Sequence, residues 1–81
     1  MKVSVKLFAV AKEWADADAV ELDLPAAATV ATVREALLTR LPKLAQFGSN
    51  LRFAVDTDYA NDATPISATS DVACIPPVSG G

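Results

Sequence analysis

The chain has 81 residues, 52% of them hydrophobic, and a formal net charge of −3. That is one small domain with enough apolar material to build a core, which excludes an extended disordered chain. The Lys and Arg residues form no cluster, which argues against nucleic acid as a partner, and no apolar run approaches the length of a membrane span.

Met1 to Val10 alternates. Val3, Val5 and Leu7 point one way and Lys2, Ser4, Lys6 and Phe8 the other, which predicts a half-buried strand. The polar interruptions also make this stretch a poor signal-peptide core. Phe8 breaks the polar side, so it is either covered by a loop at a sheet edge or part of an exposed apolar patch. Ala11 to Ala17 is rich in helix formers but short, which predicts a single helical turn or a loop with Trp14 tucked onto the domain. Ala19 to Leu24 alternates again through Val20, Leu22 and Leu24. This is a second strand, expected to pair antiparallel with the first and to end at Pro25.

Thr29 to Leu41 carries the long helical signal. Val30, Val33, Leu37 and Leu41 fall on one stripe with Leu38 beside it, while Arg34, Glu35, Thr39 and Arg40 are expected to face out. Thr29 is the favoured N-cap, because a start at Thr32 with Glu35 would leave Val30 off the buried stripe. Pro42 stops the helix. Lys43 to Asn50 reads as a loop, Leu51 to Val55 as a third strand, and Asp56-Thr57-Asp58 as a tight turn. Tyr59 to Ile66 is irregular and, with Pro65, no more than a short edge strand. After a turn at Ser67 to Ser70, Asp71 to Ile75 is the last strand, with Val72 and Cys74 on one face and Ala73 and Ile75 on the other. The domain is therefore read as residues 1–75 and the tail as residues 76–81. The fold class is α+β: a mixed sheet of roughly four to five strands with one main helix across one face.

Reactive side chains are scarce. There is no histidine, and Cys74 is a lone cysteine with no neighbouring base or cation in sequence. It reads as a small buried hydrophobe and suits a reducing, cytoplasmic setting. Asp16, Asp18, Glu21, Asp23, Asp56, Asp58, Asp62 and Asp71 match no ion-loop spacing and read as a solvated face, so no metal site is expected. The remaining candidate is the ending, Pro76-Pro77-Val78-Ser79-Gly80-Gly81. Two of the three glycines of the chain are its last two residues, and two prolines precede them. Prolines hold a segment extended, glycines let it pass through a narrow space, and six residues reach about 20 Å. A frayed terminus has the same composition, so residue types alone leave both readings open.

The order of elements and the ending together resemble the ubiquitin-like β-grasp sulfur carriers, above all the small subunits of molybdopterin synthase. The resemblance spans the chain. It rests on VKLFAVAKEW around Phe8-Ala9, the helix from Thr29 to Leu41-Pro42, the Ala54-Val55 strand, and Asp71-Val72-Ala73 followed by Ile75 to Gly81. The chain departs from that family at Asp56, where asparagine is common. It also departs at Thr69-Ser70-Asp71, where Gly-Asp-Glu is common, and at Cys74, where a larger apolar residue is usual. The resemblance implies a carrier that is not itself catalytic and binds no cofactor. An E1-like enzyme, using ATP and Mg²⁺, would adenylate the Gly81 carboxylate, and a sulfur donor protein would convert it to a thiocarboxylate. A large synthase subunit, paired with the carrier in a heterotetramer, would supply the catalytic side chains and receive the tail. A β-grasp carrier for thiamine or tRNA thiolation, a protein modifier, or an inert interaction module would share the same body. Phe8, Tyr59 and Ile75, on non-core positions, are the expected partner-binding patch.

Overall fold

A computed structural model of the chain describes residues 1–77. In order the elements are β1 (Lys2–Leu7), α1 (Ala9–Ala15), β2 (Ala19–Asp23), α2 (Val30–Arg40), a 3₁₀ segment (Pro42–Asn50), β3 (Arg52–Val55), β4 (Asp58–Ala60) and β5 (Val72–Ile75). The five strands form one mixed sheet in the order β2-β1-β5-β3-β4. β1 pairs parallel with β5, and every other pairing is antiparallel. This is the β-grasp arrangement expected from the sequence, with five strands. Among the described residues no helix is long and apolar enough to cross a membrane.

Alternation in β1 does what it must. Val3, Val5 and Leu7 are buried and the intervening residues exposed. They meet Leu22 and Leu24 beside them, Phe53, Val72 and Cys74 across the sheet, and the buried α2 residues Val30, Val33 and Leu37. Each such side chain contributes about 1.5–3 kcal/mol on full burial, and no polar or charged residue is buried among them. At the N-terminus of α2, Thr29 is the cap, and its amide donates to Thr32 Oγ1 at 3.0 Å. The amides of Val30 and Ala31 donate to the carbonyls of Thr64 and Asp62, so the irregular stretch after β4 closes the first turn of the helix.

Three expectations change. The stretch after β1 is a two-turn helix instead of a single turn or loop. It starts directly on Phe8 and ends at Asp16, whose left-handed backbone lets its amide reach the Glu13 carbonyl. Pro42–Asn50 is 3₁₀ helical on either side of a break at Gly48 instead of an open loop, because Leu44 is buried in the core and draws the segment against the body; the break falls where the sequence signals a turn. Arg34 does not face out. Its side chain is 24% exposed and turned inward by partners described below.

Candidate functional site: the exit of the chain from the sheet

β5 lies in the middle of the sheet, between β1 and β3. Because it runs parallel to β1, its end and the end of β1 lie on the same side. The amide of Phe8 extends this pairing by donating to the Cys74 carbonyl at 3.3 Å. Ala9 then takes a left-handed backbone, φ 52°, and the chain turns away into α1. The two prolines after Ile75 have no amide hydrogen, so the ladder stops there. Pro76 is buried within the body, and exposure begins at Pro77. The chain therefore leaves the domain one residue later than the sequence pattern indicates. Val78, Ser79, Gly80 and Gly81 lie outside the described residues.

Of the expected patch, Phe8 is 47% and Tyr59 is 65% exposed, and Ile75 is half-buried. Phe8 continues the alternation of β1 one residue past the strand, as the N-cap of α1. Ile75 sits beside it at the end of β5, opposite Arg52. Tyr59 pairs with Ala54, which pairs with Ala73 in turn. Two small residues thus separate Tyr59 from β1, and the Arg52 guanidinium lies over its ring at 5.2 Å. The fold brings all three residues onto the sheet face away from the helices, with Phe8 and Ile75 at the exit and Tyr59 at the far edge.

Cys74 is fully buried under the exit. Burial pushes its thiol up to about 12, outweighing the opposite pull of the Arg34 guanidinium. A thiol held neutral is a poor nucleophile. Among the described residues no group of three or more His, Cys, Asp or Glu side chains is placed to hold a metal ion.

Sequence reasoning missed two features here. Arg34 donates to the Leu51 carbonyl at 2.7 Å, grips Asp62 Oδ1 at 3.0 and 3.2 Å, and lies over the Phe53 ring at 5.0 Å. Trp14 stacks on Phe47, with centroids 5.9 Å apart and planes at 16°. Phe47 gave no usable signal, since it sits in a stretch read as loop.

A sheet of this order, grasping one helix and ending in a central strand that runs out into a short tail, defines a ubiquitin-like β-grasp protein. The chain belongs to the ThiS family, whose model matches residues 5–81. It is 28% identical over 81 residues to the molybdopterin synthase sulfur carrier subunit of Arabidopsis thaliana, covering 100% of this chain and 84% of that one. Among solved structures it is similar to SAMP1 from Haloferax volcanii, with TM-score 0.85, 29% identity and 100% of both chains covered. It is also similar to a putative molybdopterin converting factor subunit 1 from Pyrococcus furiosus, with TM-score 0.83 and 27% identity over 96% of this chain and 99% of that one.

Proposed function

We propose that the chain is the sulfur carrier subunit of a molybdopterin synthase, and that its reacting group is the carboxylate of Gly81. The observation that carries this reading is the exit. A central strand, held on both sides, runs into a buried proline and an exposed one, with four residues ending in Gly-Gly still to come. Such an arrangement gives the segment after Ile75 a fixed point of departure from the sheet. The likeness to a molybdopterin synthase sulfur carrier over the whole chain supports the same reading.

A carboxyl at the end of a chain has a pKa of about 3.3–3.7, so at neutral pH it is an unreactive anion. Attack of its oxygen on the α-phosphorus of ATP forms an acyl adenylate and releases pyrophosphate. A hydrosulfide nucleophile then attacks the acyl carbon and AMP leaves, giving the thiocarboxylate directly; a donor persulfide would instead give an acyl disulfide, which a thiol reduces to the thiocarboxylate. In the large subunit that sulfur would displace an oxygen substituent from a carbon of a cyclic pyranopterin monophosphate, water would then cleave the acyl–sulfur bond to return the Gly81 carboxylate, and two such transfers would complete a dithiolene. Gly80 and Gly81 let the backbone approach both active sites where a Cβ would collide. The Phe8 and Ile75 end of the sheet face would position the tail.

The test is reconstitution with an E1-like adenylating enzyme, ATP, Mg²⁺ and a sulfide source, followed by intact mass. The expected result is replacement of one oxygen by one sulfur at the terminus, greatly reduced in Gly81→Ala with the fold unchanged. A Gly81→Ala chain thiocarboxylated at the normal rate would falsify the reading. The likeness to SAMP1, a small archaeal modifier protein, also fits an alternative, protein modification, in which an amine of another protein would capture the activated carboxyl. The same mixture supplemented with acceptor proteins would then yield isopeptide conjugates.

A further inference from the structure

Beside the exit, along α1 from Ala9 to Trp14, the body has a groove of about 590 Å³. Its walls include Lys12, Glu13, Trp14, Phe47 and Pro77. Trp14 also forms the wall of a second hollow, about 250 Å³, with Arg40 and Lys43 on its other side. The Lys43 ammonium lies over the indole at 5.7 Å and makes no salt bridge among the described residues. Lys12 is paired with Asp18 at 2.9 Å, but both side chains are more than half exposed, so the pair is readily exchanged.

The sign of this region is opposite to that of the molecule. The chain carries −3 overall, yet the two hollows are lined by Lys12, Arg40 and Lys43 against Glu13, with Asp18 paired to Lys12 at their rim. At their centre is a half-buried tryptophan, the residue type most enriched among side chains that dominate binding energy. Pro77, the last described residue, forms part of the groove wall. A protein that encloses the four residues beyond Pro77 must therefore approach this wall as it does so.

We propose that the Trp14 groove is a second docking surface for the large synthase subunit, continuing past Ala9 and Lys12 from the Phe8 end of the sheet. Its occupant is an acidic segment of that subunit carrying an apolar side chain. The apolar group seats against Trp14 and Phe47, and the carboxylates meet Lys43 and Lys12. The proposal rests on the carrier reading above.

The test uses the full chain and the cognate large subunit. Trp14 is the only tryptophan, so a ¹⁵N-labelled carrier gives a single indole cross-peak. That peak is expected to shift on adding unlabelled large subunit. The charge-reversed carrier Lys12→Glu/Lys43→Glu keeps both aromatic residues and is expected to bind about tenfold more weakly, with a smaller salt dependence. An unmoved indole peak at saturation, or a Kd for the double variant within about twofold of the parent, overturns the proposal. If the parent chain itself fails to bind the large subunit, the carrier reading falls and takes this surface with it.

Discussion

Arg34 spans the distance from α2 to Asp62 and fixes one carboxylate oxygen with two of its nitrogens, at 3.0 and 3.2 Å. Its third hydrogen bond, to the Leu51 carbonyl at 2.7 Å, ties the helix to the start of β3. One side chain thus joins the helix, the sheet and the loop that caps the helix.

Removing that side chain is therefore expected to cost more than an ordinary surface change. Arg34→Ala leaves the Leu51 carbonyl without its donor and strips the cation from the Phe53 ring, a loss of about 2–3 kcal/mol. Asp62→Ala should cost only about 0.5–1 kcal/mol, since that end is largely exposed. Urea unfolding of the two variants against the parent checks the order. Equal losses would show that the ion pair, and not the carbonyl contact, carries the effect.

The β3–β4 turn is strained in a correctable way. Asp56 and Thr57 both have positive φ, 52° and 75°, and a β-branched residue is a poor fit there. Thr57→Gly is expected to stabilise the fold by about 1 kcal/mol, read as a raised Tm. Asp56 contributes separately, because its Oδ1 accepts the Asp71 amide at 2.9 Å and its own amide donates to the Asp71 carbonyl at 2.8 Å. Asp56→Asn keeps the acceptor and should be near neutral, whereas Asp56→Ala should lose about 1 kcal/mol.

Gly48 has φ 53° and ψ −131°, and a Cβ built there meets nothing within 4 Å. The cost of Gly48→Ala is then backbone strain alone, about 1–3 kcal/mol. Thermal unfolding measures it. A loss below about 0.3 kcal/mol would mean that the turn relaxes into another conformation.

Cys74 gives the fold an alkaline limit. Its ordinary pKa is 9.0, and burial raises it to about 12. The folded state thus holds the proton that the unfolded state gives up. The stability this contributes is fully present below about 9 and is lost as pH rises toward 12. Cys74→Ala should be less stable at pH 7, from the lost packing, yet decline less steeply between pH 9 and 11. At pH 8 the native thiol should react with an aromatic disulfide reagent only as fast as the chain unfolds.

Most of the body could be read from pattern. The two opening strands follow from alternation through Val3, Val5, Leu7 and Leu22. The stripe Val30, Val33 and Leu37 locates the face of α2. What escaped reading depends on contacts distant in sequence. Nothing local says that an arginine one residue after Val33 finds a carbonyl 17 residues away. α1 is too short to show a period, and its first residue, Ala9, takes a left-handed backbone that alanine does not advertise. The burial of Pro76 was hidden for a related reason. A proline pair looks like a linker in sequence, and only the neighbouring elements decide that the first of the two packs inward.

The central place of β5 also determines how the body answers a pull. A tail drawn along the strand axis by an enzyme gripping it loads the hydrogen bonds to β1 and to β3 together, in shear. Had the last strand lain at an edge and been pulled sideways, the same tug would peel those bonds one by one. A force applied at Ile75 along the strand axis is therefore shared by both neighbouring ladders at once.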